Sequence, residues 1–262
     1  MTTKFDNPII QQEHLVYKKS SVLTDDIFGY CAGCGHGTIT RLVAEVIEDM
    51  NIQENTIGVS SVGCSAFLFN YIDVDFIGAP HGRATAVATG IKRVMPDKYV
   101  FTYQGDGDLA AIGSGESLHA CNRGENITIV YVNNGIYGMT GGQMAPTTLG
   151  GMVSTTTPYG RDIKSNGPPI DFSMLVAPLS GVYYVSRQAV HTPAAVRKAK
   201  KALCQAFENQ KEQKGVSLVE FVSSCNSNWR MSPVEANIWM EKNMFPQYPL
   251  GDIKINGKLV KK

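Results

Sequence analysis

Gly105-Asp106-Gly107, a gap of twenty-five residues, and then Asn133-Asn134 form the pattern in this chain best suited to chemistry. The stretch KYVFTYQGDGDLAAIGSGESLHACNRGENITIVYVNN reads as strand, glycine turn, helix, strand and polar turn. Such a βαβ unit puts Asp106 and Asn134 at the carboxyl ends of two parallel strands, where open α/β sheets bind ligands. A carboxylate, an amide oxygen and a nearby backbone carbonyl suit a hard, octahedral cation such as Mg2+, which would bridge to a diphosphate. A dinucleotide site competes, because Gly105-x-Gly107-x-x-Ala110 approaches the G-x-G-x-x-G/A fingerprint. Against it, Asp106 and Asp108 would face a pyrophosphate with no metal between. The following strand also ends in asparagines, where a ribose would need an acid. Alone, GDG would be a mere turn; the double asparagine at this distance argues for a site.

Cysteines make a second constellation. Cys31-Ala-Gly-Cys34 is a C-x-x-C pair, Cys64 ends a predicted strand, and Cys225 lies just past the last one. The two strands can bring their thiols to the sheet edge that holds the GDG turn. Four irregularly spaced thiolates can bind a [4Fe–4S] cluster. A four-cysteine zinc site is the structural alternative, although zinc ribbons show two close pairs and only one is present. On spacing alone, cluster, zinc and unrelated thiols all stay open. Cys121 and Cys204 fall in predicted helices among apolar neighbours and read as buried structural thiols.

Three further residues carry a functional and a bland reading. His36 opens a predicted helix, where an anion binds well, or else it satisfies a backbone partner. His81 and Arg83 can hold an anion or a carboxylate, or Arg83 can pair with a structural acid. His119 reads as a structural residue of the core unit, and His14 and His191 as surface residues.

The elements that must position these groups follow from the rest of the 262 residues. A 43% hydrophobic content fills one large domain. A net charge of +1 gives no support for nucleic-acid binding, and no stretch reaches the ~18 apolar residues that would span a membrane. The N-terminus lacks a signal-peptide core, so a cytoplasmic protein is expected, where C-x-x-C points to metal or redox chemistry. Residues 1–28 read as an arm against a partner, 29–225 as the cofactor-binding domain, and 226–262 as a C-terminal wrap. Periodicity predicts helices over 38–50, 83–94, 114–123 and 172–177. Another, capped by Thr192 with Pro193 first, runs to about residue 210. Strands are predicted over 56–62, 98–104, 127–132, 182–186 and 215–223. Five alternating strands imply an α/β fold, a doubly wound, mostly parallel sheet with helices on both faces. Residues 135–170 lack any period and read as a functional loop.

The Asp106–Asn134 spacing resembles the diphosphate-binding motif of thiamine diphosphate enzymes. The wider set is similar to the β subunit of the 2-oxoacid:ferredoxin oxidoreductases: YCAGCGHG (30–37), SSVGCSAF (60–67), PHGRATAVATGIK (80–92), GDGD (105–108), VNNGIYGMTGGQMAPTT (132–148) and Cys225. The resemblance implies Mg2+ on Asp106, Asn134 and the backbone carbonyl of Ile136, and a [4Fe–4S] cluster on Cys31, Cys34, Cys64 and Cys225. It implies thiamine diphosphate contacts from Val62, Gly63, Cys64, Ser65, Gly107, Asp108, Gly138 and Met139, with Gly105 in the same turn. His36, His81 and Arg83 are its candidate catalytic residues.

The family oxidatively decarboxylates a 2-oxoacid to acyl-coenzyme A and passes electrons to ferredoxin or a ferredoxin-like subunit. A non-oxidative thiamine enzyme subunit, a decarboxylase or synthase with a structural metal, is the alternative. Glu116 is not the acid that activates the cofactor, because it follows the metal turn on the diphosphate side. That glutamate is expected on a partner α subunit carrying the pyrimidine-binding domain. Some members have a basic residue where Gly141 stands, which tilts the expectation toward apolar, branched-chain 2-oxoacids over 2-oxoglutarate. The basic run 197–201 reads as a solvated helix face able to steer an acidic ferredoxin.

Overall fold

The structure, a computed structural model, describes residues 15–261; the start of the expected arm, with His14, lies outside the described residues. Helix α1 (Gly35–Asp49) starts three residues before the expected 38, from an extended Cys34. The Gly-His-Gly at its start carries no apolar period, so the sequence shows the helix only from Ile39. Next come β1 (Thr56–Ser60), β2 (Asp75–Gly78), α2 (Ala84–Val94) and β3 (Tyr99–Gly105). A π-helical turn, Gly107–Ile112, leads into α3 (Ser114–Arg123) and β4 (Thr128–Asn133). The hairpin β5 (Ile136–Tyr137) and β6 (Gln143–Met144) precedes two short helices, α4 (Ile163–Asn166) and α5 (Phe172–Val176). Then follow β7 (Val182–Gln188), α6 (Pro193–Lys211), β8 (Val216–Val222), α7 (Asn226–Trp229) and α8 (Pro233–Gln247). The last two strands are β9 (Gly251–Ile255) and β10 (Lys258–Leu259). As expected, the Thr192 side chain accepts from the Ala195 N–H at the start of α6, with Pro193 in its first turn.

One sheet of eight strands runs β10-β9-β7-β8-β4-β3-β1-β2. From β2 to β7 all pairings are parallel, whereas β9 and β10 are antiparallel. Five strands were expected, and the three missed lie at the edges. β2 is largely exposed and lacks the apolar run of a buried strand. β9 and β10 form a hairpin through Asn256-Gly257, both at positive φ, which is the two-residue turn that Asn-Gly favours.

The central strands are buried on both faces, as parallel strands are. Along β4, Val130 and Val132 join the core under α1 and α6, while Ile129 and Tyr131 join the core under α2, α3 and α5. That two-faced burial is why these strands read as continuous apolar runs.

The segment 135–170 is built on a cation. Arg161, buried, donates to the carbonyls of Ala145, Pro146, Thr148, Asn166, Gly167 and Pro168. A guanidinium with five donors satisfies a folded loop that has no hydrophobic period. Helix α8 starts with a capping box, Ser232 and Glu235. It packs Met240, Met244 and Tyr248 against Ile136, Leu149, Met152, Val222 and Cys225.

Candidate functional site

Four neighbouring strands, β1, β3, β4 and β8, end at the same edge of the sheet, with Ser60 beside Tyr103, Gly105 beside Val132 and Asn133 beside Val222. Their carboxyl ends hand over to the segments carrying Cys64, Asp106, Asn134 and Cys225. One cleft there is lined by Val62, Gly63, Cys64, Ser65, Gly105, Asp106, Gly107, Asp108, Asn134, Ile136, Gly138 and Met139, with His36 and His81. Every residue expected to touch the diphosphate or its metal therefore meets in one place. Other grooves among the described residues are larger, but none of them borders Asp106.

Asp106 is almost fully buried. Its Oδ1 accepts from the Gly107 N–H at 2.8 Å, and its Oδ2 from the Ile136 N–H at 3.1 Å and the Thr147 hydroxyl at 2.7 Å. The Ile136 N–H is shared with Asn134 Oδ1 at 3.3 Å, which draws the carboxylate and the amide oxygen together. Burial pushes the Asp106 carboxyl up to about 6, against these donors. A carboxylate has about four lone-pair sites, so three donors leave room for one cation, whose charge would offset the burial.

Asp108 lines the cleft, and its carboxylate is buried and saturated. Oδ1 accepts from Ser61 Oγ at 2.7 Å, Gly82 N–H at 2.6 Å and His81 Nδ1 at 2.5 Å, and Oδ2 accepts from Gln104 Nε2 at 2.5 Å. The carboxylate ties β1, the 80–83 turn and β3 into one wall. It also fixes the His81 ring through Nδ1.

His36 lies in the first turn of α1, with Nδ1 2.8 Å from the Tyr103 hydroxyl and its ring stacked on Tyr30. Burial pushes its pKa down to about 4, so it is neutral at pH 7. Arg83 is not brought to the cleft; it pairs with Glu116 at 2.5 Å, the bland alternative of the sequence reading. His119 sits on α3, the helix of the core unit, with an exposed side chain, and His191 is mostly buried, 3.3 Å from Glu241, rather than a surface residue. Cys121 is buried as expected, but Cys204 is only half-buried.

The four candidate cysteines form no disulfide and lie near one another beside the cleft. Burial first, and then the neighbouring thiols, push Cys34 up to about 12 and Cys64 up to about 11, and Cys225 rises as well. Each is near enough to act on another's charge, though no three His, Cys, Asp or Glu side chains of the described residues meet as a single-ion site. Gly138 joins the two constellations. A β-carbon there would lie 3.4 Å from Cys225 Sγ and 3.8 Å from both Cys64 Sγ and Asn134 Nδ2. Asn228, unnoticed in the sequence, donates to the Gly138 carbonyl at 2.8 Å and to Cys225 Sγ at 3.2 Å.

The family model for the thiamine pyrophosphate enzyme C-terminal TPP-binding domain matches residues 61–221, the span holding Cys64, the GDG turn, Asn134 and Gly138 but not Cys31, Cys34 or Cys225. The 2-oxoglutarate synthase subunit KorB of Methanocaldococcus jannaschii is 35% identical over 240 residues, 88% of this chain and 84% of that protein. The chain belongs to the thiamine diphosphate-binding subunits of the 2-oxoacid oxidoreductases. It is also similar to the ketoisovalerate oxidoreductase subunit VorA of Methanothermobacter marburgensis, at 41% identity over 92% of this chain. The chain spans only 50% of that relative's length. Among solved structures, a 2-oxoglutarate:ferredoxin oxidoreductase from Magnetococcus marinus, with 2-oxoglutarate, coenzyme A and succinyl-CoA bound, superposes with a TM-score of 0.73. That match is at 28% identity and covers 87% of this chain and 73% of that one. The doubly wound fold and the thiamine diphosphate domain expected from the sequence are thus present. Among the described residues no helix is long and apolar enough to cross a membrane.

Proposed function

We propose that this chain is the β subunit of a coenzyme A-acylating 2-oxoacid:ferredoxin oxidoreductase. The observation that carries the reading is the meeting at Gly138 of Asn134, which shares the Ile136 N–H with Asp106, with the thiols of Cys64 and Cys225. When bound, thiamine diphosphate supplies the carbon nucleophile that cleaves a 2-oxoacid, and a [4Fe–4S] cluster supplies the electron acceptor.

The chain's own residues prepare for both groups. Asp106, Asn134 and the Ile136 carbonyl would hold Mg2+, which would supply the charge and the template for a diphosphate. Gly63 and the rim residues Val62 and Met139 shape the cleft, the last two with exposed apolar side chains that a partner can cover. Neutral His36, and His81 anchored by Asp108, offer orienting hydrogen bonds. Cys31, Cys34, Cys64 and Cys225 hold the cluster, which requires reduced thiols and so a reducing, cytoplasmic compartment. Glu116 is engaged by Arg83, and the two acids lining the cleft, Asp106 and Asp108, are engaged as well, so the activating glutamate belongs to the partner α subunit. On α6, Lys200 is paired with Glu45 and Asp49, whereas Arg197, Lys198 and Lys201 are exposed and able to steer an acidic ferredoxin.

The substrate reading is a branched-chain 2-oxoacid. The VorA relative supports it, and so does Gly141, whose φ of +107° disfavours any side chain that would hold a distal carboxylate. The experiment compares kcat/KM of the native complex for 2-oxoisovalerate and 2-oxoglutarate, with coenzyme A and a viologen acceptor. Preference for 2-oxoisovalerate supports the assignment, and preference for 2-oxoglutarate means the partner supplies the cation. Decarboxylation without iron in the protein would favour the non-oxidative alternative.

A further inference from the structure

Beyond the ligands themselves, a buried polar chain runs behind the metal site, and it starts at the Thr147 hydroxyl. Thr147 is fully buried in the Arg161-ordered segment and donates to Asp106 Oδ2 at 2.7 Å. Among the described residues it is the only side-chain donor to that carboxylate; the other two partners are backbone N–H groups. The Thr147 carbonyl in turn accepts from the Tyr248 hydroxyl at 2.7 Å, at the end of α8. The Tyr248 ring faces the Arg187 guanidinium at 5.4 Å, and Arg187 Nε donates to Glu220 Oε2 at 2.7 Å. Glu220 Oε1 accepts from Asn133 Nδ2 at 2.8 Å, and Asn133 Oδ1 accepts from the Gly135 N–H at 3.2 Å. The chain thus closes on Asn134 from the other side.

We propose that Thr147 is a positioning residue that holds the Asp106 carboxylate in its cation-binding orientation, and that Tyr248 locks Thr147 in place. The inference rests on the reading of this site as the Mg2+–diphosphate site. A carboxylate can rotate about its last bond; the Gly107 N–H holds Oδ1, but the backbone donor on Oδ2, the Ile136 N–H, is longer and shared with Asn134 Oδ1. The hydroxyl fixes Oδ2, so the remaining lone pair stays aimed at the cleft. An outer partner of this kind typically contributes about 10- to 100-fold in metal affinity. The terminal segment therefore acts on the site although none of its residues lines the cleft.

The test uses the complete complex and titrates thiamine diphosphate calorimetrically at a series of Mg2+ concentrations. Wild-type protein that fails to bind the cofactor in a Mg2+-dependent way sinks the site reading itself. Given wild-type binding, Thr147→Val is expected to raise the Mg2+ needed for half-saturation by about tenfold or more. Thr147→Ser, which keeps the hydroxyl, is expected to restore it. Tyr248→Phe, which loses a single oxygen, should move it in the same direction by less. Unchanged Mg2+ dependence in Thr147→Val, or a Ser variant as weak as the Val variant at equal thermal stability, overturns the proposal. Should Thr147→Val not assemble, the Ser and Phe variants decide alone: unchanged Mg2+ dependence in Tyr248→Phe overturns the lock.

Discussion

A β-carbon on Gly107 would lie 2.2 Å from both Cδ1 and Cε1 of Tyr137, so the turn after β3 and the hairpin after β4 meet with no space for a methyl group. The contact puts the backbone of the GDG turn against the segment that follows Asn134. Gly107→Ala is expected to push the ring toward the cleft, at a cost of about 1–3 kcal/mol in stability or in cofactor binding. Thermal denaturation with and without thiamine diphosphate measures both. Adding Tyr137→Ala should recover the loss, and a double variant as impaired as the single one would show that the glycine serves another purpose.

Much of this site was legible because its residues sit next to punctuation. Asp106 follows a glycine, Asn134 ends an apolar run, and Cys64 ends another, so strand ends and site residues coincide. What stayed hidden is long-range. Thr147, Tyr248, Asn228 and Gln104 act through partners far along the chain or through a carboxylate whose direction no spacing reveals. Asp108 illustrates the limit: position alone suggested a residue facing the diphosphate, whereas Ser61, His81 and Gly82 already engage its carboxylate. The β9–β10 hairpin is another case, since Asn256-Gly257 announced it, but the charged strands on either side gave no apolar alternation.

Asp106→Ala should abolish retention of thiamine diphosphate. Few ligands hold the cation, and removing the single charged one leaves Asn134 and a carbonyl, too weak for Mg2+. The cause is loss of the metal, since the Asp108 carboxylate is already engaged by four donors. Cofactor content of the purified complex is the measurement, and a wild-type content would disprove the metal assignment.

Cys225→Ala should lose iron, and Cys204→Ala should not. Cys225 lies 3.2 Å from Asn228 Nδ2 beside the cleft, while Cys204 packs against the α1–α6 core. Iron assay and low-temperature EPR of the reduced protein distinguish them. Equal iron in the two variants would refute the four-cysteine set.

Arg187→Leu should destabilise the chain by about 3–5 kcal/mol, because it leaves the buried Glu220 and the neighbouring Asp171 without their cation. For a chain of this size that corresponds to a fall in Tm of roughly 6–20 °C. Pairing it with Glu220→Gln should recover part of the loss, since the uncompensated charge goes too. A double variant that loses the sum of the two single effects would show that the pair is not coupled.

The isolated chain should be catalytically silent, even when loaded with its cofactors. Activation of thiamine diphosphate needs a glutamate at the aminopyrimidine ring. The acids lining the cleft are Asp106, committed to three donors, and Asp108, committed to four. Glu116, the nearest glutamate in sequence to the metal turn, is held by Arg83. Val62, Phe69, Ile112 and Met139 also remain exposed on the segments around this edge, apolar surface suited to a covering subunit. Expression with and without the companion subunit, followed by 2-oxoacid-dependent reduction of a viologen dye, measures the difference. Turnover is expected only from the pair, and the chain alone should still bind thiamine diphosphate with Mg2+. Full turnover by the isolated chain would place the activating acid within these 262 residues and overturn the shared-site reading.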